Sequence, residues 1–152
     1  MPPEQPRQPA SILALDFGLR RIGVASGSVL TGTASPLTTV AATDGEPDWD
    51  ALDGLVNEWQ PDLLVLGLPR NTDGSESDMS RRVRIFADLL KSRYNIVISL
   101  TDERYTSREA ESILKQQRQS GARNRRIKKE DVDSMAAALI ADSWLQAHKN
   151  ES

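Results

Sequence analysis

The sequence contains no cysteine and a single histidine, and these two shortages exclude whole classes of functional site. Without cysteine the chain has no disulfide and no thiol nucleophile, and one histidine cannot supply a structural zinc site. Any catalysis must therefore depend on carboxylates, hydroxyls, lysine or arginine. The histidine, His148, lies near the C-terminus, where we expect a solvated residue at a helix end.

Long hydrophobic runs are also missing, and none approaches the length of a membrane span. The first ten residues are proline-rich and polar, without the basic start and apolar stretch of a secretory signal. These features predict a cytoplasmic protein with no membrane partner. We expect residues 1–10 to form a disordered tail, residues 11–147 to form a single domain, and residues 148–152 to form a frayed C-terminus.

Positive charge is absent from one long part of the chain and concentrated in another. The net charge of −3 argues against a general nucleic-acid binder. However, residues 22–69 contain no lysine or arginine, whereas residues 115–129 contain several and no acid. This asymmetry predicts one anionic and one cationic face. The basic residues from position 121 onward either track RNA phosphates or form a solvated linker; they are Arg123, Arg125, Arg126, Lys128 and Lys129.

The hydrophobic pattern predicts strands at the start of the chain. The apolar runs Ser11–Leu15 and Ile22–Ser26 flank a basic turn that contains glycine, which is typical of a hairpin, and Thr33–Val40 is rich in strand-forming residues. Two more strands are predicted at Leu63–Leu66 and Ile96–Leu100. The predicted fold class is α/β, with a five-stranded mixed sheet of three antiparallel strands followed by two parallel strands.

Apolar residues at helical spacing predict the helices that cover both faces of this sheet. The first runs from Trp49 to Trp59 with Asp48 as its N-cap, and we expect the three tryptophans of the chain to pack in the core. A capping-box pattern at Thr106 predicts another helix start. The remaining two helices are predicted at Ser77–Arg93 and Glu130–Ala147.

Three acids occupy positions where a carboxylate needs a partner. Asp16 ends an apolar strand, Glu103 follows the fifth strand, and Asp133 shares an apolar helix face. Carboxylates that converge at one sheet edge repel one another, and a bound Mg²⁺ or Mn²⁺ is the usual compensation. Each acid also has a simpler interpretation: a turn cap, a surface ion pair and a helix-start acid, respectively.

Four motifs of the sequence, in this order, match those of a known family. They are Leu15-Asp16-Phe17-Gly18 with Arg21-Ile22-Gly23-Val24-Ala25, Gly67-Leu68-Pro69 with Asn71 and Asp73-Gly74, Asp102-Glu103-Arg104 with Thr106-Ser107, and Val132-Asp133-Ser134-Met135-Ala136-Ala137. In these motifs the sequence resembles the YqgF/RuvX family of pre-16S ribosomal RNA nucleases, which is itself similar to Holliday-junction resolvases.

The resemblance implies a ribonuclease H-like fold and a divalent-metal site. It assigns the catalytic and metal-binding roles to Asp16, Glu103 and Asp133, the same acids that their positions single out. It also implies hydrolysis of RNA in the maturation of the 5′ end of 16S ribosomal RNA. The implied partners are precursor 16S RNA and the pre-ribosome, and we expect a monomer or a weak homodimer.

Several polar residues inside the motifs are expected to contact nucleic acid. Arg21 and Arg104 suit flanking phosphates because a guanidinium binds phosphate with two donors. Asn71 is part of a turn, or it lies where a helix start binds phosphate. Thr106 completes the predicted set.

Other functions remain open at this point. A resolvase would use the same carboxylates but act as a symmetric dimer on branched DNA. A non-catalytic RNA-binding assembly factor would need the basic residues yet tolerate the loss of Asp16. An actin-like ATPase and a protein kinase are excluded because one domain of this size is too short for either.

Overall fold

The computed structural model of the protein describes residues 10–69, 77–102 and 129–148. This part of the chain contains six strands and three helices. The strands are β1 (Ser11–Asp16), β2 (Arg21–Ser28), β3 (Thr33–Thr43), β4 (Glu46–Pro47), β5 (Leu63–Leu68) and β6 (Val97–Asp102), and the helices are α1 (Trp49–Trp59), α2 (Asp78–Tyr94) and α3 (Lys129–His148).

The strands form one mixed sheet in the order β4-β3-β2-β1-β5-β6. Strands β1 to β4 pair antiparallel with their neighbours, whereas β5 is parallel to β1 and β6 is parallel to β5. The predicted mixed sheet is therefore confirmed. The predicted helix that begins at Thr106 lies outside the described residues.

The predicted number of strands was wrong, because β4 adds a sixth. This strand has only two residues and pairs with the end of β3. Asp44 and Gly45 form the turn between them with φ of 49° and 87°. A two-residue turn of this kind needs positive φ at both positions, and Asp-Gly is one of its preferred sequences. No periodicity can reveal a strand of two residues, but the Asp-Gly pair was a usable signal.

The helix boundaries follow capping signals. Asp48 accepts a hydrogen bond from the Ala51 amide at the start of α1, which confirms the predicted N-cap. Ser77 is the N-cap of α2 and not its first residue, because its hydroxyl accepts from the Ser80 amide. Helix α3 is one residue longer at each end than predicted. No helix in the described ranges is both long and apolar enough to cross a membrane.

Alternating residues of β1 separate the core into two layers. Leu13 and Leu15 pack with α1 and α2 on one face of the sheet. Ile12 and Ala14 pack with α3 on the other face. Successive side chains of a strand point to opposite faces. Residues at odd-numbered positions of β1 therefore meet α1 and α2, and residues at even-numbered positions meet α3. Helices cover both faces, as the sequence predicted.

Small residues on β2 let α3 approach the sheet closely. Gly23, Ala25 and Gly27 alternate along the face of β2 that meets this helix. A Cβ at Gly23 would lie 2.0 Å from the backbone oxygen of Asp133, and one at Gly27 would lie 2.8 Å from the Ile12 side chain. The contact at Gly23 joins backbone to backbone, so neither side can yield by rotating a side chain.

A polar cluster connects α1 to α2 on the other face. Arg93 donates from Nε and from a terminal nitrogen to the two carboxylate oxygens of Asp53, at 2.8 and 2.7 Å, and the Tyr94 hydroxyl donates to Asp53 at 2.6 Å. The guanidinium also lies 4.5 Å above the Trp49 ring centroid. These hydrogen bonds lower the pKa of Asp53 to about 2, and those from Arg93 contribute more than the one from Tyr94.

Expectations about two individual side chains were wrong. Trp59 was expected in the core, but it is 41% exposed at the end of α1. His148 was expected to be solvated, but its ring is half-buried and stacks on Trp144 with a centroid distance of 4.0 Å. Trp144 itself is buried as predicted, and its indole N–H donates to the Ser99 hydroxyl.

Replacing Gly23 with alanine should destabilise the protein by about 3 kcal/mol, the upper end of the usual cost of overpacking, because the new methyl meets fixed backbone. Urea denaturation measures the free energy of unfolding. The matched control is Gly54→Ala in α1, where a Cβ meets nothing within 4 Å. It should stabilise the protein by about 0.5–1 kcal/mol through helix propensity. Equal stability of the Gly23 variant and wild type would contradict the close contact.

Replacing Asp53 with asparagine should destabilise the protein at neutral pH and have little effect in acid. The carboxyl has a pKa of about 2 in the folded protein against an ordinary 3.8, so its stabilisation is complete above pH 3.8 and is lost as pH falls toward 2. Denaturation from pH 2 to 7 compares the two proteins. A stability difference that is independent of pH would show that the charge of Asp53 is not responsible.

Candidate active site

The carboxyl ends of three strands meet at one edge of the sheet. Strands β1, β5 and β6 are mutually parallel, with Leu15 opposite Leu66 and Leu68 opposite Asp102. Ligands of α/β sheets bind beyond such ends, because the chain leaves the sheet there and side chains reach solvent. Asp16, the last residue of β1, lies at this edge, where the sequence predicted a carboxylate.

Asp16 belongs to the face of the sheet that α3 covers. It has the same parity along β1 as Ile12 and Ala14, which pack against this helix. Its partner on β2 is Gly23. The side chain is half-buried at the point where the apolar layer ends. Asp16 therefore lies on the α3 side of the sheet, at the end of the apolar layer.

The turn after Asp16 brings a basic residue back to the same edge. A Cβ at Gly18 would lie 2.4 Å from the backbone oxygen of Arg21, so this tight turn requires glycine. Strand β2 then begins at Arg21, and this residue has the same parity as Gly23. Arg21 therefore also lies on the face of the sheet that α3 covers.

Asp133 reaches the edge from the start of α3. Its backbone oxygen is the atom that lies against Gly23. Because Gly23 pairs with Asp16 across the two strands, the two acids flank the same glycine on the same face. Their convergence on a shared cation was the central expectation from the sequence; the backbone contact at Gly23 places the start of α3 beside the end of β1, and the metal site itself stays a prediction.

Arg21 binds Asp133 directly. Its Nε donates to Oδ2 of the carboxylate at 2.8 Å, although the two residues are 112 positions apart. The side chains are 35% and 22% exposed, so the ion pair is half-buried. The sequence predicted a phosphate contact for Arg21 and not this partner. The position of Arg21 two residues before Gly23 on β2 could have indicated this partner, because residues two apart on a strand point to the same face of the sheet.

The other predicted site residues lie outside the described residues, so their positions remain predictions. Glu103 comes immediately after Asp102, the last residue of β6. Lys129 is the first residue of α3, but its side chain is not among those described. Also outside are Asn71, Arg104, Thr106, Arg123, Arg125, Arg126 and Lys128.

The donor set at this edge suits a hard divalent cation. Asp16 and Asp133 offer carboxylate oxygens, the ligands that Mg²⁺ and Mn²⁺ prefer. Among the residues that the structure describes, no group of three or more acids or histidines could hold a metal. Two carboxylates with substrate phosphate and water are nevertheless a common Mg²⁺ environment, and Glu103 is the candidate third ligand. The chemistry of the two described carboxylates therefore suits such an ion.

A groove lies on the other face of the sheet, near the same edge. It has a volume of about 860 Å³ and is lined by residues of α1, α2 and the β3–β4 hairpin. Phe17, the neighbour of Asp16, forms one wall together with Phe86 and Trp49. The groove is on the side of α1 and α2, so it is separate from the pair Arg21 and Asp133 on the α3 side.

Proteins of known fold resemble this architecture. RuvC of Thermus thermophilus in complex with a Holliday-junction substrate aligns with a TM-score of 0.55 and 12% identity, covering 94% of this chain and 98% of that one. The fowlpox virus resolvase in complex with Holliday-junction DNA aligns with a TM-score of 0.55 and 12% identity, covering 90% and 97%. At such low identity these matches show the fold alone, which is the predicted ribonuclease H-like one.

Sequence relatives are much closer. A protein of Edwardsiella ictaluri named "Putative pre-16S rRNA nuclease" is 46% identical, over 91% of this chain and 96% of its own length. A protein of Hahella chejuensis with the same name is 45% identical, over 91% and 85%. The sequence model of the RuvX family, described as "Holliday junction resolvase", matches residues 10–147. The chain therefore belongs to the RuvX family.

Proposed function

We propose that this protein is a metal-dependent nuclease that hydrolyses phosphodiester bonds of precursor 16S ribosomal RNA at the carboxyl edge of its sheet. The observation that carries the proposal is that Asp16 and Asp133 flank Gly23 on one face of the sheet. Membership of the RuvX family and the names of the close relatives support the reaction and the RNA substrate.

The chain's own carboxylates explain how the edge would work. A bound Mg²⁺ or Mn²⁺ would activate water and stabilise the charge that develops on the scissile phosphate. Asp16 and Asp133 would hold the ion from β1 and α3, and Glu103 would complete the set from the residue after β6. With water as the nucleophile, no side chain of the protein has to be modified during the reaction.

The substrate would extend beyond the edge onto basic and polar residues. Arg104 and Thr106 follow Glu103 in sequence, and Asn71 follows β5, and we propose that all three contact the substrate. We propose that the basic residues from Arg123 to Lys129 contact RNA phosphates farther along the strand, which would make binding salt-sensitive. The protein would act in the cytoplasm on the pre-ribosome, as a monomer or a weak homodimer.

A Holliday-junction resolvase is the second candidate, because the description of the family names that activity. The same carboxylates would serve either substrate, since both reactions hydrolyse a phosphodiester bond. The names of the close relatives refer to a nuclease of pre-16S ribosomal RNA and not to a junction resolvase, which favours RNA as the substrate. Substrate preference must therefore be measured directly on both nucleic acids.

Replacing Asp16 with asparagine should reduce the rate of precursor 16S RNA cleavage by at least about 100-fold. A loss of this size is typical when one group that stabilises transition-state charge is removed. Purified wild type and variant are compared on the precursor, linear DNA and a four-way junction, with Mg²⁺, Mn²⁺ or chelator. The matched control is Asp88→Asn, the same chemical change at an exposed position of α2, which should cleave like wild type.

Three outcomes would contradict the proposal. Equal activity of wild type and the Asp16 variant would indicate a contaminating nuclease or a binding role. Cleavage that persists in chelator would exclude the metal-dependent mechanism. Cleavage of the four-way junction but not of the precursor would favour the resolvase.

A further inference from the structure

We propose that Arg21 is a positioning residue for Asp133: it holds this carboxylate in the orientation that binds the divalent cation and does not itself contact substrate phosphate. The inference rests on the proposed function, because it assigns a role within the same site. The observation behind it is the half-buried hydrogen bond from Nε of Arg21 to Oδ2 of Asp133, at 2.8 Å.

Both ends of this ion pair are held by backbone contacts. Arg21 pairs with Ala41 of β3, and the neighbouring Arg20 carbonyl accepts a hydrogen bond from the Ala42 amide. On the other side, the backbone oxygen of Asp133 is fixed against Gly23. Because the backbones of both residues are already held, formation of this ion pair costs less conformational entropy than formation of most surface ion pairs. The bond can therefore fix the orientation of the Asp133 carboxylate.

The bond through Nε suits a carboxylate that also binds a metal. A bidentate pair through two guanidinium nitrogens would use both carboxylate oxygens, as Arg93 does with Asp53. The bond from Arg21 uses Oδ2, and we assign Oδ1 to the cation. Groups that hydrogen-bond to metal ligands fix their orientation, and loss of such a group typically weakens metal affinity about 10–100-fold.

Arg21 also places a positive charge next to an acid at this edge. Its guanidinium lies against the Asp133 carboxylate, and Asp16 lies on the same face of the sheet as the strand partner of Gly23. The ion pair therefore compensates the negative charge of Asp133. The neighbouring Arg20 is exposed and lies in the turn before β2, so it is a control for charge without this bond.

The test measures Mn²⁺ affinity, which does not depend on catalysis. Free Mn²⁺ is followed by electron paramagnetic resonance with full-length wild type and the variants Arg21→Gln, Arg21→Lys and Arg20→Gln. We expect Arg21→Gln to bind Mn²⁺ at least about 10-fold more weakly. Arg21→Lys should be intermediate, since it keeps the charge but not the planar Nε donor. Arg20→Gln should match wild type, although it loses the same charge.

Cleavage kinetics then separate positioning from phosphate binding. At saturating Mn²⁺, Arg21→Gln should lower kcat with little change in KM for RNA, because the carboxylate and not the substrate has lost its partner. Thermal denaturation shows whether each variant is folded, and Arg21→Lys provides the test if Arg21→Gln is not. Unchanged Mn²⁺ affinity in both Arg21 variants, or a raised KM with unchanged kcat, would overturn the inference.

Failure of the proposed function gives a different result. If wild type binds no Mn²⁺, or if Asp16→Asn binds it as tightly as wild type, the metal site itself is wrong and the role of Arg21 is overturned with it. If Asp16→Asn loses Mn²⁺ affinity but both Arg21 variants bind Mn²⁺ as tightly as wild type, the metal site is supported. In that case only the positioning role of Arg21 is wrong.

Discussion

The close contact between α3 and β2 at Gly23 is the constraint on which the rest of the site depends. The backbone oxygen of Asp133 occupies the space that a Cβ at position 23 would need. Because Gly23 pairs with Asp16, this one contact brings an acid from the end of the chain beside an acid from its beginning. A larger residue at position 23 would push the start of α3 away from β2.

The apolar layers on both sides of the sheet maintain that contact. Ala25 and the buried alanines near the start of α3 pack together as small side chains, so this part of the helix lies close to the strands. Such packing is stiff, since protein interiors are as dense as organic crystals. On the other face α1 and α2 cover Leu13 and Leu15 and keep β1 central in the sheet. Packing thus positions Asp16 and Asp133, and the ion pair with Arg21 gives Asp133 a further contact to β2.

Much of the fold could be predicted from the sequence because its signals are local. The strands β1, β2, β3, β5 and β6 and the N-cap Asp48 follow from alternation and capping chemistry within a few residues. Strand β4 was missed because its two residues carry no period. Trp59 was misplaced because helical spacing does not say where a neighbouring element ends, and this residue lies at the last turn of α1.

The sequence by itself determined which residue types could carry the chemistry: carboxylates at strand ends and at a helix start, with no cysteine and one histidine to compete for the role. It also determined the family, since each motif is a short run of neighbouring residues that can be recognised without the fold. Only the tertiary structure decided that Asp133 lies beside Asp16 and that Arg21 binds Asp133. These contacts join residues more than a hundred positions apart, and the packing of α3 on the sheet, which no local pattern encodes, brings them together.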